Sequence, residues 1–219
     1  MIKTEDLFDL SHTLARNYFP EENPYLVLPL IKTAVIEISG TLGDDYTEIS
    51  EGVFAANDAV IYPNTTIEGP AIIGHKTEIR PGAFIRGSVI IGDGAVIGNS
   101  TEIKNAIIFD GVQVPHYNYV GDSILGYKSH MGAGAIASNF RLDHKNIVIK
   151  DTEERYETGL RKMGALLGDF AEVGCGSVLC PGTVIGRRAM IYPLSRIIGT
   201  VAANTVYKDG KTKPRRDAL

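Results

Sequence analysis

The chain has 219 residues, 44% of them hydrophobic and 22% charged, with a formal net charge of −4. That balance fits a globular protein and disfavours a nucleic-acid partner, which needs a basic face for phosphates. Two cysteines, Cys175 and Cys180, imply no disulfide framework, no apolar run approaches the roughly 20 residues of a membrane span, and no secretory signal pattern opens the chain, so a cytoplasmic protein without a membrane partner is expected.

Residues 1–58 lack the repeat that follows them. Leu7, Leu10 and Leu14 stand at near-helical spacing, and a second helix is predicted over residues 29–38, ended by Gly40. Repeat proteins need a cap on an exposed end. This partly helical segment is therefore expected to close one end of what comes next.

From Ile61 an isoleucine recurs every sixth residue: Ile67, Ile73, Ile79, Ile85, Ile91, Ile97, Ile103. Two residues before each, the chain places a small or β-branched residue, such as Thr65, Ala71, Thr77 or Ala83. Positions two apart on a strand share a face. The residues between are Gly, Pro, Asn, Asp and charged types ("GHK", "RPG", "GDG"), which is turn chemistry. Each unit is a short strand with one large and one small inward residue, followed by a corner. A helix of period 3.6 explains none of this, whereas a hexapeptide β-helix explains all of it. Three units close a triangular coil of about 18 residues, and coils stack at about 4.8 Å.

The register continues loosely through Val114, Val120, Leu125 and Met131, then sharply again at Leu167, Val173, Leu179, Ile185, Ile191 and Ile197. An all-β solenoid is thus predicted over residues 59–207, with roughly six to seven coils. Residues 138–166 leave the register as a long excursion, more often functional than accidental. Residues 208–219 read as a polar, basic, mobile tail.

The unit "VPHYNY" breaks the pattern. His116 falls at an outward corner with Tyr117, while Asn118 takes the small inward position, where an amide must find partners or cost free energy. A surface histidine on an irregular coil is the plain explanation. It leaves Tyr117, Tyr119, Asp122 and the inward Asn118 unaccounted for within one unit.

At these residues the chain resembles a known family. "RPGAFIRG", "GNSTEIKNAII", "PHYNYVGDSILG" and "MGAGAIASNF" are similar to the acetyltransferase domain of the bifunctional glucosamine-1-phosphate acetyltransferase / N-acetylglucosamine-1-phosphate uridyltransferase, from about residue 60 to 200. The resemblance implies a left-handed solenoid and a homotrimer with sites between neighbouring prisms. It makes His116 the general base and acetyl-CoA the co-substrate. It places Arg80, Lys104, Tyr119 and Lys145 on a sugar phosphate, and Asn139 on the acetyl-CoA side. Three departures accompany it: His130 stands for an asparagine on the sugar side, Phe140 for a tyrosine beside Asn139, and Cys175 for a serine near the acetyl group. The family's Gly-rich nucleotide loop has no counterpart before residue 60, so nucleotide-sugar synthesis is not expected of this chain.

The implied chemistry suits the residue types, since cations hold a phosphate and an imidazole accepts a proton at neutral pH. The leading expectation is an acyl-CoA-dependent N-acetyltransferase acting on an amino-sugar phosphate. The alternative is a binding module that keeps the prism and holds a sugar phosphate or nucleotide sugar without chemistry. A zinc hydratase would need three converging imidazoles, and His12, His75, His116, His130 and His144 offer no closely spaced pair; no metal is expected.

Overall fold

The computed structural model describes residues 2–151 and 154–215. The repeat forms a left-handed parallel β-helix with three flat faces. The first face stacks Val53–Ala56, Ala71–Ile73, Val89–Ile91, the ends of Glu102–Ile108 and Tyr119–Leu125, then Ala165–Leu167, Thr183–Ile185 and Thr200–Val201. The second stacks Thr66–Glu68, Phe84–Arg86, the starts of Glu102–Ile108 and Tyr119–Leu125, then Ile136–Ala137, Val178–Leu179 and Arg196–Ile197. The third runs from Val60–Ile61 through Val96–Asn99, Gln113–His116 and His130–Met131 to Thr205–Lys208.

The periodic isoleucines fill the axis. Ile73, Ile79, Ile85, Ile91, Ile97 and Ile103 are fully buried, and only Ile61 and Ile67, at the open end, are partly exposed. Inward threonines satisfy their hydroxyls on the next coil: Thr77 Oγ1 donates to the Gly92 carbonyl at 2.7 Å and Thr101 Oγ1 to that of Val114 at 3.1 Å. Two coils are one residue short, since Glu102 pairs with Tyr119 and Tyr119 with Ile136. The residue is lost at the corner between the second and first faces, where Asn105 and Asp122 take left-handed backbone at φ 46° and 48°. Asn and Asp tolerate that region better than most side chains.

The N-terminal segment does not close an end, as the sequence suggested; it lies along the first face. The outward residues there, Ile72, Ile90, Ile107, Ile124 and Leu166, are all fully buried. The 3₁₀ helix Pro24–Leu30 and the α-helix Ile31–Ser39 pack on the strands that carry the first four, burying Val27, Leu28, Ile31, Ala34 and Val35 in return. The apolar column is the physical reason: each such side chain taken from water contributes roughly 1.5–3 kcal/mol. The segment also contributes a strand to the solenoid. Tyr46–Ser50 pairs antiparallel with Val53–Ala56, so the solenoid starts earlier than residue 59 and carries eight rungs on its first face.

At the far end, Lys211–Pro214 folds back antiparallel on Thr205–Lys208. Asp209 and Gly210, at φ 51° and 75°, make the two-residue turn that an Asp-Gly pair favours. The range read as tail therefore begins as a hairpin, and residues 216–219 lie outside the described residues. The excursion forms a second hairpin, Val148–Lys150 with Arg155–Glu157. It rests on the lower coils: Gly182 N donates to the Gly164 carbonyl at 2.9 Å, and Thr200 Oγ1 to that of Lys150 at 3.2 Å. Among the described residues no helix is long and apolar enough to cross a membrane.

Candidate active site

The corner joining the third face to the second carries the interrupted repeat. Asn118 is buried, and its amide is fully used. Its Nδ2 donates to the carbonyls of Gly132 at 2.8 Å and Ala135 at 3.1 Å, and its Oδ1 accepts from the His116 backbone N–H at 3.0 Å. The inward asparagine thus ties its coil to the next and fixes the backbone of His116. Tyr117 follows at φ 52° and is 65% exposed. The His116 ring is exposed and makes no hydrogen bond or ion pair among the described residues.

Arg80 and Cys175 share this corner. Asn99 pairs with His116 on the adjoining coil, and Arg80 N–H donates to the Ile97 carbonyl one coil further. Cys175 lies on the opposite side of the Gly132–Gly134 turn and is exposed. A Cβ on Gly132 would approach Cys175 Sγ to 3.0 Å, so the glycine makes room for the thiol. Two coils of about 4.8 Å separate each of them from His116. Arg80 binds Glu78 Oε2 through both Nε and Nη2 at 3.1 Å.

Lys104, Tyr119 and Asn139 gather at the other edge of the second face, where it turns into the first. The hydroxyl end of Tyr119 lies over Gly121, where a Cβ would come within 2.5 Å of Tyr119 Oη and 2.6 Å of Asn139 Nδ2. Asn139 Nδ2 donates to Tyr119 Oη at 3.2 Å. Burial first, then the charges of Glu102 and Asp122, push the Tyr119 phenol up, so its O–H remains a donor. The Lys104 ammonium has no partner among the described residues, and the ion pair of Arg86 with Glu102 (2.6 Å) stands on the coil beside it. Phe140 leaves this corner and packs edge-on against His144, centroids 5.1 Å apart. Lys145 follows on the exposed excursion, its N–H donating to Asp143 Oδ1 at 3.3 Å. His130 stands apart on the third face, its Nδ1 2.9 Å from Glu172 Oε2.

The fold therefore brings His116, Arg80 and Cys175 to one corner and Lys104, Tyr119 and Asn139 to another, while Phe140 and Lys145 lie on the excursion and His130 on the third face. Sequence reasoning missed two participants at the second corner. Asn105 and Asp122 stack with Asn139 on successive coils, and Asp122, though part of the motif, had no role assigned. The signal was their even spacing in the sequence, seventeen residues each time. Among the described residues no group of three or more His, Cys, Asp or Glu side chains is placed to hold a metal.

Comparison with known proteins gives the chain relatives. Residues 67–153 match the family model described as the GMPPB C-terminal domain. A bifunctional sugar-1-phosphate nucleotidylyltransferase/acetyltransferase of Sulfurisphaera tokodaii is 35% identical over 78% of this chain and 43% of its own length. The bifunctional protein GlmU of Methanococcus aeolicus is 36% identical over 68% and 40% respectively. The chain is a hexapeptide-repeat relative of these bifunctional proteins. It corresponds to their C-terminal acetyltransferase region and spans less than half of their length. A solved UDP-N-acetylglucosamine O-acyltransferase from Moraxella catarrhalis is 14% identical, over 76% of this chain and 74% of that one, with a TM-score of 0.44.

Proposed function

We propose that the protein is an acyl-CoA-dependent N-acetyltransferase acting on an amino-sugar phosphate, working as a cytoplasmic homotrimer with sites between neighbouring prisms. The observation that carries this reading is the exposed His116 ring, unpaired among the described residues, at the corner where residues 114–119 break the hexapeptide pattern. An ammonium cannot attack a thioester until it loses a proton, and His116 is the base suited to take it. The freed amine adds to the thioester carbonyl carbon, the C–S bond breaks, and the departing coenzyme thiolate takes the second proton of the attacking nitrogen as the amide forms. Arg80 and Lys104 hold the sugar phosphate by charge-assisted bonds, with Tyr119 donating its O–H and Lys145 adding charge from the excursion. Asn139, Phe140 and Cys175 face acetyl-CoA. The residues suit that co-substrate: the glycine-lined corner beside Cys175 is open, with nothing near Gly134 where a Cβ would stand, and Asn139 offers a side-chain oxygen, Oδ1, that accepts no hydrogen bond among the described residues.

The binding-module reading has its own support in His130, tied to Glu172, and in Arg80, neutralised by Glu78. A thiol-release assay separates the two. Acetyl-CoA is offered with a panel of amino sugars and their 1-phosphates, alongside calorimetric binding of the same compounds. Turnover that prefers a phosphorylated amino sugar supports the transferase. Tight sugar-phosphate binding with no thiol released from any pair supports the module.

A further inference from the structure

We infer that Asp122 is a positioning residue: it turns the Asn139 amide so that its carbonyl oxygen, not its N–H₂, faces the ligand. Asn105, Asp122 and Asn139 occupy the same corner on three successive coils. Asn105 Nδ2 donates to Asp122 Oδ1 at 2.9 Å, and Asn139 Nδ2 donates to Asp122 Oδ2 at 2.5 Å. Asp122 is 6% exposed, so its carboxylate depends on these two amides. A carboxylate offers only acceptors, and an asparagine beside it must present its N–H₂. The second hydrogen of that group goes to Tyr119 Oη at 3.2 Å. Both donors of Asn139 are thus spent within the chain, and Oδ1 alone is left to meet a ligand N–H. The Tyr119 oxygen, having accepted from Asn139, directs its own O–H outward. One buried carboxylate thereby sets a fixed pattern at this corner, acceptor at Asn139 and donor at Tyr119.

Asn105 also donates to the Leu28 carbonyl at 3.3 Å, which anchors the ladder to the N-terminal segment. The excursion leaves and returns at the same point, with Met163 N donating to the Asn139 carbonyl at 3.0 Å and Gly164 N to that of Asp122 at 2.8 Å. A purely structural role, closing this neck, uses the Asp122 backbone and not its carboxylate, so the two roles can be separated.

The inference rests on the acyl-CoA reading, in which the N–H that Asn139 meets belongs to an amide of the coenzyme. The test is calorimetric binding of coenzyme A, with melting temperature measured in parallel, for the wild type, Asp122→Asn, and Asp122→Asn combined with Asn139→Asp. In Asp122→Asn the new side chain can still accept from Asn105, and its own N–H₂ meets Asn139 once that amide flips. Every buried group remains paired and the backbone stays in a region asparagine tolerates, so the melting temperature is unchanged. The flip turns an N–H₂ toward the coenzyme and weakens binding about tenfold or more. The double variant exchanges the two groups, restores an outward acceptor, and recovers most of the lost affinity. Wild-type affinity in Asp122→Asn overturns the inference, as does a melting temperature that falls with the affinity, or a double variant that binds no better than the single. A wild type that binds no coenzyme A overturns the acyl-CoA reading itself, and this inference with it.

Discussion

His116 and Lys104 stand at opposite edges of the second face. Tyr117 to Gly121 cross between their columns, since Lys104 pairs with Gly121 one coil away. At about 3.3 Å per residue this is roughly 15 Å, too far for one amino-sugar phosphate to meet both. The edge of a neighbouring prism can supply the missing half, as a closed ring of like subunits allows. Co-expressed chains carrying His116→Ala or Lys104→Ala should therefore complement. Random mixing leaves about a quarter of the interfaces with both residues, so mixed oligomers should regain about that share of wild-type activity, against little from either parent. Mixtures no more active than the parents would confine the site to one chain.

Docking of the N-terminal segment has a separate, structural consequence. Ile107 points away from the prism axis yet is fully buried. Ile107→Ala should cost about 2–5 kcal/mol, as for an interior position. Denaturant unfolding measures this. A change below about 1 kcal/mol, the range of a surface substitution, would mean the segment leaves this face in solution.

The prism itself was legible because its inward residues obey a strict six-residue rule. The position of the N-terminal segment was written in the sequence too, but in the residue before each inward one: Ile72, Ile90, Ile107, Ile124 and Leu166. A reading confined to the inward pair passes over that column and sends the helices to an end. The terminal hairpin was missed for a similar reason, because the charge of "KDGK" outweighed its Asp-Gly turn. At the candidate site, the break in the repeat marked His116 directly. The contacts of Asp122 with Asn105 and Asn139 depend on coils one residue short, and a search at period six slides past that spacing.

His75 gives the fold a pH-dependent contact at the opposite corner. Its Nδ1 lies 2.8 Å from Asp58 Oδ1 and its Nε2 3.1 Å from Asp45 Oδ2, with the Tyr46 ring edge-on at 5.1 Å. Burial alone pushes the imidazole down. The hydrogen bond and charge of Asp58, the charge of Asp93 and the hydrogen bond of Asp45 outweigh it, and the net shift is upward. A raised imidazole stabilises the fold fully below its ordinary value of about 6.5, and the contribution fades as pH rises through the raised folded value. His75→Gln should lower the melting temperature near pH 6 and have less effect near pH 9, with a ceiling of about 1 kcal/mol for such partly exposed pairs. A deficit that grows with pH would reverse the assigned sign.

The most direct test of the account is steady-state thiol release by His116→Ala with acetyl-CoA and the best amino-sugar phosphate found for the wild type. General-base catalysis contributes about 10²- to 10⁴-fold. Because His116 points outward and its backbone bond to Asn118 does not involve the ring, the melting temperature should not move. The account predicts a fall of at least about a hundredfold in kcat with acetyl-CoA affinity unchanged; a variant that keeps more than about a tenth of wild-type kcat would contradict it.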